Sequence, residues 1–199
     1  MTRREVIQKS ALALGYALSS SAVAGILKGC AAKPDLNYQP VFFTKDQALL
    51  ISEVAEIILP RTATPGAKDV GVPAFIDRMV NEIYHEEQQQ RFVTDLNTFN
   101  EDAKKQFGSD FIDCTPAQQN EFVVMKNKEA LTEGGGVSEG WWAAGRSNER
   151  PFILKIKELT IIGFFTSEAG ATQVLQYNPV PGPYQGCVPL ADVGKAWAT

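Results

Sequence analysis

Side chains able to do chemistry are sparse in this chain of 199 residues. Its single histidine, His85, lies in "YHEEQQQR", on the polar side of a helical turn, with no second histidine to share a metal. A zinc site needs three or four clustered ligands, so a solvated surface position is the reading for His85. Two acidic pairs, Asp110 with Asp113 and Glu86 with Glu87, have the residue types for acid–base work. Solvated helix ends account for both pairs more simply. Trp141 and Trp142 could stack a sugar, but adjacent residues on one chain diverge in direction. One of them packing a core is the simpler reading. "GGGVSEG" lacks the Lys-Ser/Thr ending and the preceding strand of a phosphate loop, and no G-x-S-x-G elbow is present. Cys114 and Cys187 are too far apart to form a C-x-x-C motif. The residues therefore assign no catalytic, cofactor-binding or metal-ligating group to this chain.

The elements that would hold such residues are helical. Thr44-Lys45-Asp46-Gln47 has the form of a capping box, opening a helix with Leu50, Val54, Ile57 and Ile58 on one face and a stop at Pro60. "PRTATPGAKDVGVP" reads as a loop dense in Pro, Gly and Thr. Pro73 suits a first helical turn, and Ile76, Met79, Val80, Ile83 and Tyr84 follow at helical spacing. Phe92, Leu96, Phe99 and Ala103 mark a third helix. Thr115-Pro116-Ala117-Gln118 caps a fourth, with Phe122, Met125 and Leu131 facing inward. Residues 133–145 form a glycine-rich insertion. Pro151 starts the last long helix, striped by Phe152, Ile156, Leu159 and Ile162 and expected to end at Gly170. No segment alternates with period two for long enough to make a strand. The expectation is an all-α, single, irregular multi-helix domain over residues 44–199, ending in a Pro/Gly-rich C-terminal arm.

The first 29 residues read as an export signal. A basic head, "MTRREVIQKS", precedes the uncharged "ALALGYALSSSAVAGIL", whose Ser, Gly and Ala content makes a poor permanent span. Arg3 and Arg4, followed by one variable residue and then apolar ones, match the twin-arginine pattern, although paired arginines also occur in ordinary signals. Leu27-Lys28-Gly29-Cys30 resembles a lipobox with Cys30 as the lipidated residue, Lys28 being untypical there. Cleavage after Ala22-Val23-Ala24 is the competing reading and would leave Cys30 a thiol.

Three cysteines, Cys30, Cys114 and Cys187, make an odd set for an exported chain. Lipid on Cys30 leaves two, which an oxidising compartment could join as a Cys114–Cys187 disulfide. Loss of residues 1–29 removes four basic residues and one acid, taking the net charge from −4 to −7. So acidic a body argues against nucleic acid as a partner. Attachment to a membrane would rest on acyl chains rather than headgroup charge. Residues 30–43 read as a linker, and the location expected is the periplasmic side of the envelope, lipid-anchored.

"YNPVPGPYQGC", Tyr177 to Cys187, cannot be helical. A stiff polyproline-like arm loses little entropy when ordered on a partner, and Tyr177, Pro179, Pro181 and Tyr184 are the candidate partner-binding residues. Wrapping the chain's own helices is the other role open to it.

Two blocks, "EIILPRTATPGAKDVGVPAFIDRMV" from Glu56 and "ELTIIGFFTSEAGATQVLQYNPVPGPYQGCVPL" from Glu158, resemble the small subunit (subunit 3) of gluconate 2-dehydrogenase. The resemblance spans nearly the whole mature chain. It implies a non-catalytic partner of a large FAD-dependent oxidoreductase acting on sugars, sugar acids or polyols, at times with a cytochrome c subunit. It also implies that the small subunit carries the twin-arginine signal for the folded flavoprotein, with FAD bound by the partner. A stand-alone exported lipoprotein, binding a ligand or hydrolysing a substrate, is the alternative.

Overall fold

The computed structural model describes residues 35–132, 150–180, 182–183 and 186–198. The chain divides after Asp35, and the folded unit begins at Leu36. Among its described residues are five substantial helices: α1 (Lys45–Ile58), α2 (Val72–Glu82), α3 (Glu86–Phe107), α4 (Pro116–Thr132) and α5 (Phe152–Phe165). A 3₁₀ turn at Phe111–Asp113 precedes α4, a π turn at Gly170–Val174 follows α5, and a single helical turn, α6 (Leu190–Val193), lies near the end. The described residues contain no strand, only an isolated parallel bridge between Gln176 and Trp197. The fold is all-α.

The helices begin where local chemistry satisfies their free N–H groups. The Gln47 N–H donates to Thr44 Oγ1 (3.3 Å), and the Thr44 N–H donates to Gln47 Oε1 (3.1 Å). Thr115 and Gln118 repeat the exchange at α4. Gly108, at φ 75°, ends α3 in the left-handed conformation that glycine adopts without steric cost.

Helix α5 is central, packing on α1, α2, α3 and α4. Its sequence is apolar nearly all round, as a helix enclosed by neighbours requires. Aromatic rings carry the core from one end to the other. Phe43 meets Phe92 (5.6 Å between centroids), Phe92 meets Phe152 (5.5 Å), Phe152 meets Phe99 (5.3 Å), and Phe99 meets Phe122 (4.8 Å). These tilted and edge-on contacts suit the ring quadrupoles.

Three sequence expectations change. The stretch to residue 43 is not all linker: Phe43 is buried, and Leu36, Tyr38 and Phe42 pack against the core. The ends of the stripes are also solvent-facing, with Ile83, Leu131 and Ile162 exposed. Periodicity places a residue on a face but cannot say how far the neighbouring helix extends. Finally, the last long helix stops at Phe165 rather than Gly170. Ser167 Oγ donates to the Phe164 carbonyl (2.6 Å) and accepts from the Gly170 N–H (3.1 Å), turning the chain early. Gly170 is needed because the Phe164 carbonyl occupies the place of a Cβ.

Candidate functional site

The acidic pairs are accounted for locally. Asp110 Oδ1 accepts from Asn100 Nδ2 (3.1 Å), while Asn100 Oδ1 accepts from the Phe111 N–H (2.9 Å), so the pair fixes the 3₁₀ turn. Glu86 and Glu87 are exposed in the first turn of α3, where the helix dipole favours carboxylates. His85 is exposed at the N-cap of that helix. Among the described residues no group of three His, Cys, Asp or Glu could hold a metal, and no helix is long and apolar enough to cross a membrane.

A cleft of about 220 Å³ opens over Phe99 and Phe152, rimmed by Asp95, Asp102, Lys126 and Arg150. Its charges answer one another. Lys155 meets Asp95 at 3.0 Å, Lys126 meets Asp102 at 3.0 Å, and Arg150 meets Glu158 at 2.7 Å. The hydrogen bond from Lys126 holds the Asp102 carboxyl below the usual carboxylate range. The cleft thus has an apolar floor and a self-neutralised rim.

Two carboxylates that sequence reasoning passed over each hold two or more backbone N–H groups. Asp77, only 1% exposed, accepts from the backbone N–H groups of Val41 (2.6 Å), Phe42 (3.1 Å) and Phe43 (2.9 Å). Tyr38 lies close by and donates its hydroxyl to the Pro73 carbonyl (3.2 Å). Burial, with the Asp77 charge adding, pushes the Tyr38 hydroxyl pKa up. Glu56 accepts from the N–H groups of Arg61 (3.0 Å) and Lys68 (2.9 Å), bracing the loop between α1 and α2. Arg61 grips Asp69 across the same loop. Its Pro and Gly content announced a loop, but nothing in the spacing named the acids that brace it.

The two cysteines do not form the expected disulfide in this structure; both are free. Cys114 is a buried residue whose Sγ donates to the Asp110 carbonyl (3.4 Å), whereas Cys187 is exposed on the arm. Burial, with Asp113 and Asp110 adding, pushes the Cys114 thiol pKa up. One thiol belongs to the core and the other to the surface.

The described residues of the arm are exposed. Tyr177 is 62% exposed and Val180 78% exposed, and Pro179 between them is exposed too. Pro181 and Tyr184 lie outside the described residues, as do Arg3, Arg4, Cys30, Trp141 and Trp142. At the arm's base, Gln176 joins two limbs: its N–H donates to the Ala196 carbonyl (2.9 Å), and its carbonyl accepts from the Ala198 N–H (2.9 Å). Of the ten exposed large apolar side chains among the described residues, six lie between Ile161 and Trp197, which marks this end of the chain as the candidate surface.

The family model for gluconate 2-dehydrogenase subunit 3 matches residues 45–182, from the first residue of α1 into the arm. The chain belongs to that family. No curated protein and no solved structure matches it. The match covers both distinctive segments of this subunit 3 chain, the braced loop after α1 and the exposed Tyr177–Val180 stretch. Gluconate 2-dehydrogenase subunit 3 is by its family a subunit of a dehydrogenase complex, so a partner chain is the context for its exposed apolar end.

Proposed function

We propose that this chain is the non-catalytic small subunit of an FAD-dependent sugar, sugar-acid or polyol dehydrogenase, docking to the flavoprotein subunit through its C-terminal arm. The observation carrying this reading is the exposure of Tyr177, Pro179 and Val180 on a segment that the family match includes. Aromatic and proline side chains held in water have unspent contact area, and a stiff segment loses little entropy on docking. In the same reading, Arg3 and Arg4 direct export of the folded complex and a lipid on Cys30 holds it on the periplasmic side. FAD belongs to the partner, and a cytochrome c subunit completes the electron path where one is present.

Co-expression with the flavoprotein subunit tests this. The two chains should co-purify, FAD should travel with the larger one, and Tyr177→Ala should weaken the complex by about 1–2 kcal/mol. The altered chain should keep its helical circular dichroism. A flavoprotein that reaches the periplasm and works normally without this chain would reject the role.

A further inference from the structure

Gln176 uses every hydrogen-bonding group of its backbone and its side-chain amide N–H₂ on one task. Beyond the two backbone bonds to Ala196 and Ala198, its Nε2 donates to the carbonyls of Val193 (2.7 Å) and Lys195 (2.6 Å). Lys195 returns the contact, its Nζ donating to the Gln173 carbonyl (3.0 Å). No sheet extends this pairing, since the bridge to Trp197 is isolated. Two limbs about twenty residues apart in sequence are thus joined by five hydrogen bonds, four of them made by Gln176 and two of those by its side chain. The limbs carry the exposed apolar groups: Tyr177 and Val180 on one, and Trp197, 50% exposed, on the other.

We propose that Gln176 is the positioning residue of the docking surface, holding the Tyr177–Val180 limb and the Trp197 limb together before the flavoprotein subunit arrives. This rests on the docking reading above. A closed pair of limbs meets its partner as one surface, whereas an open pair must be ordered during binding, and the apparent affinity is the intrinsic one multiplied by the fraction that is closed. The buried core is remote from this effect, because Tyr177, Val180 and Trp197 add nothing to it.

The experiment compares Gln176→Ala with Tyr177→Ala in the full chain, each titrated with the flavoprotein subunit and followed by amide hydrogen exchange. Gln176→Ala removes two side-chain hydrogen bonds, and binding should weaken about tenfold. The amides of residues 176 and 198 should exchange faster while the helices keep their protection. Tyr177→Ala should weaken binding and leave those amides as protected as before. If Gln176→Ala binds as tightly as the unaltered chain, the positioning role is overturned, whatever the exchange shows. If the unaltered chain forms no complex, the docking reading fails and this inference fails with it.

Discussion

The buried carboxylate of Asp77 accepts the backbone N–H of Phe43 at 2.9 Å, tying α2 to a residue 34 positions earlier in the chain. The same carboxylate holds Val41 and Phe42, so three successive N–H groups near the start of the folded unit share one acceptor. Phe43 in turn enters the aromatic chain of the core through Phe92. Removal of the carboxylate would leave three N–H groups without their acceptor and loosen Phe43. Asp77→Ala should therefore destabilise the fold by about 3 kcal/mol in chemical denaturation, with Asp77→Asn losing less. A change within about 0.5 kcal/mol, the range of ordinary surface substitutions, would refute the anchoring role.

Acid sensitivity follows from Asp102. The hydrogen bond from Lys126 lowers its pKa in the folded state, with Lys105 adding. A carboxylate whose folded pKa lies below its unfolded value of about 3.9 contributes stability above that value and loses it as pH falls through the folded pKa. Asp102→Asn should thus be less stable than the unaltered chain by a constant margin above about pH 5, and the margin should shrink below about pH 4. A margin that grows on acidification would contradict this sign.

The thiols should separate by rate. Native alkylation mapped by peptide mass should modify Cys187 quickly, because it is exposed. Cys114 should react slowly, being buried, with its pKa raised by burial and the nearby acids. The thiolate is the reacting form, so both effects act in one direction. Equal rates would mean that the turn around Cys114 opens readily.

Export and anchoring are tested on the first 30 residues. Arg3→Lys combined with Arg4→Lys keeps the charge but not the guanidinium geometry, and should hold the chain in the cytoplasm. Mass spectrometry of the exported form should find an acylated N-terminus at Cys30, whose chains contribute about 0.8 kcal/mol per buried CH₂. Normal export of the double variant would dismiss the twin-arginine route, and a soluble form beginning at Gly25 would dismiss the lipid.

The helices were legible in the sequence because their signals are local. The boxes at Thr44 and Thr115 act over three residues, and both formed as expected. The spacing of Phe92, Leu96, Phe99 and Ala103 put all four in the core. The braced loop and the arm were visible as Pro and Gly clusters, and those same words carried the family resemblance. What escaped the sequence is what depends on partners far along the chain. Asp77 looks like any acid on a helix until Val41, Phe42 and Phe43 fold over it. Gln176 has no neighbour in sequence to mark it, and its partners begin at Val193. The cysteine count invited a bridge, but counting cannot see that Cys114 faces its own backbone inside the core while Cys187 stays in water. Sequence determined where the backbone would coil, since caps and apolar spacing act within a few residues. Only the tertiary structure decided which polar groups hold the ends of the domain together, because a hydrogen bond across the fold leaves no period in the chain.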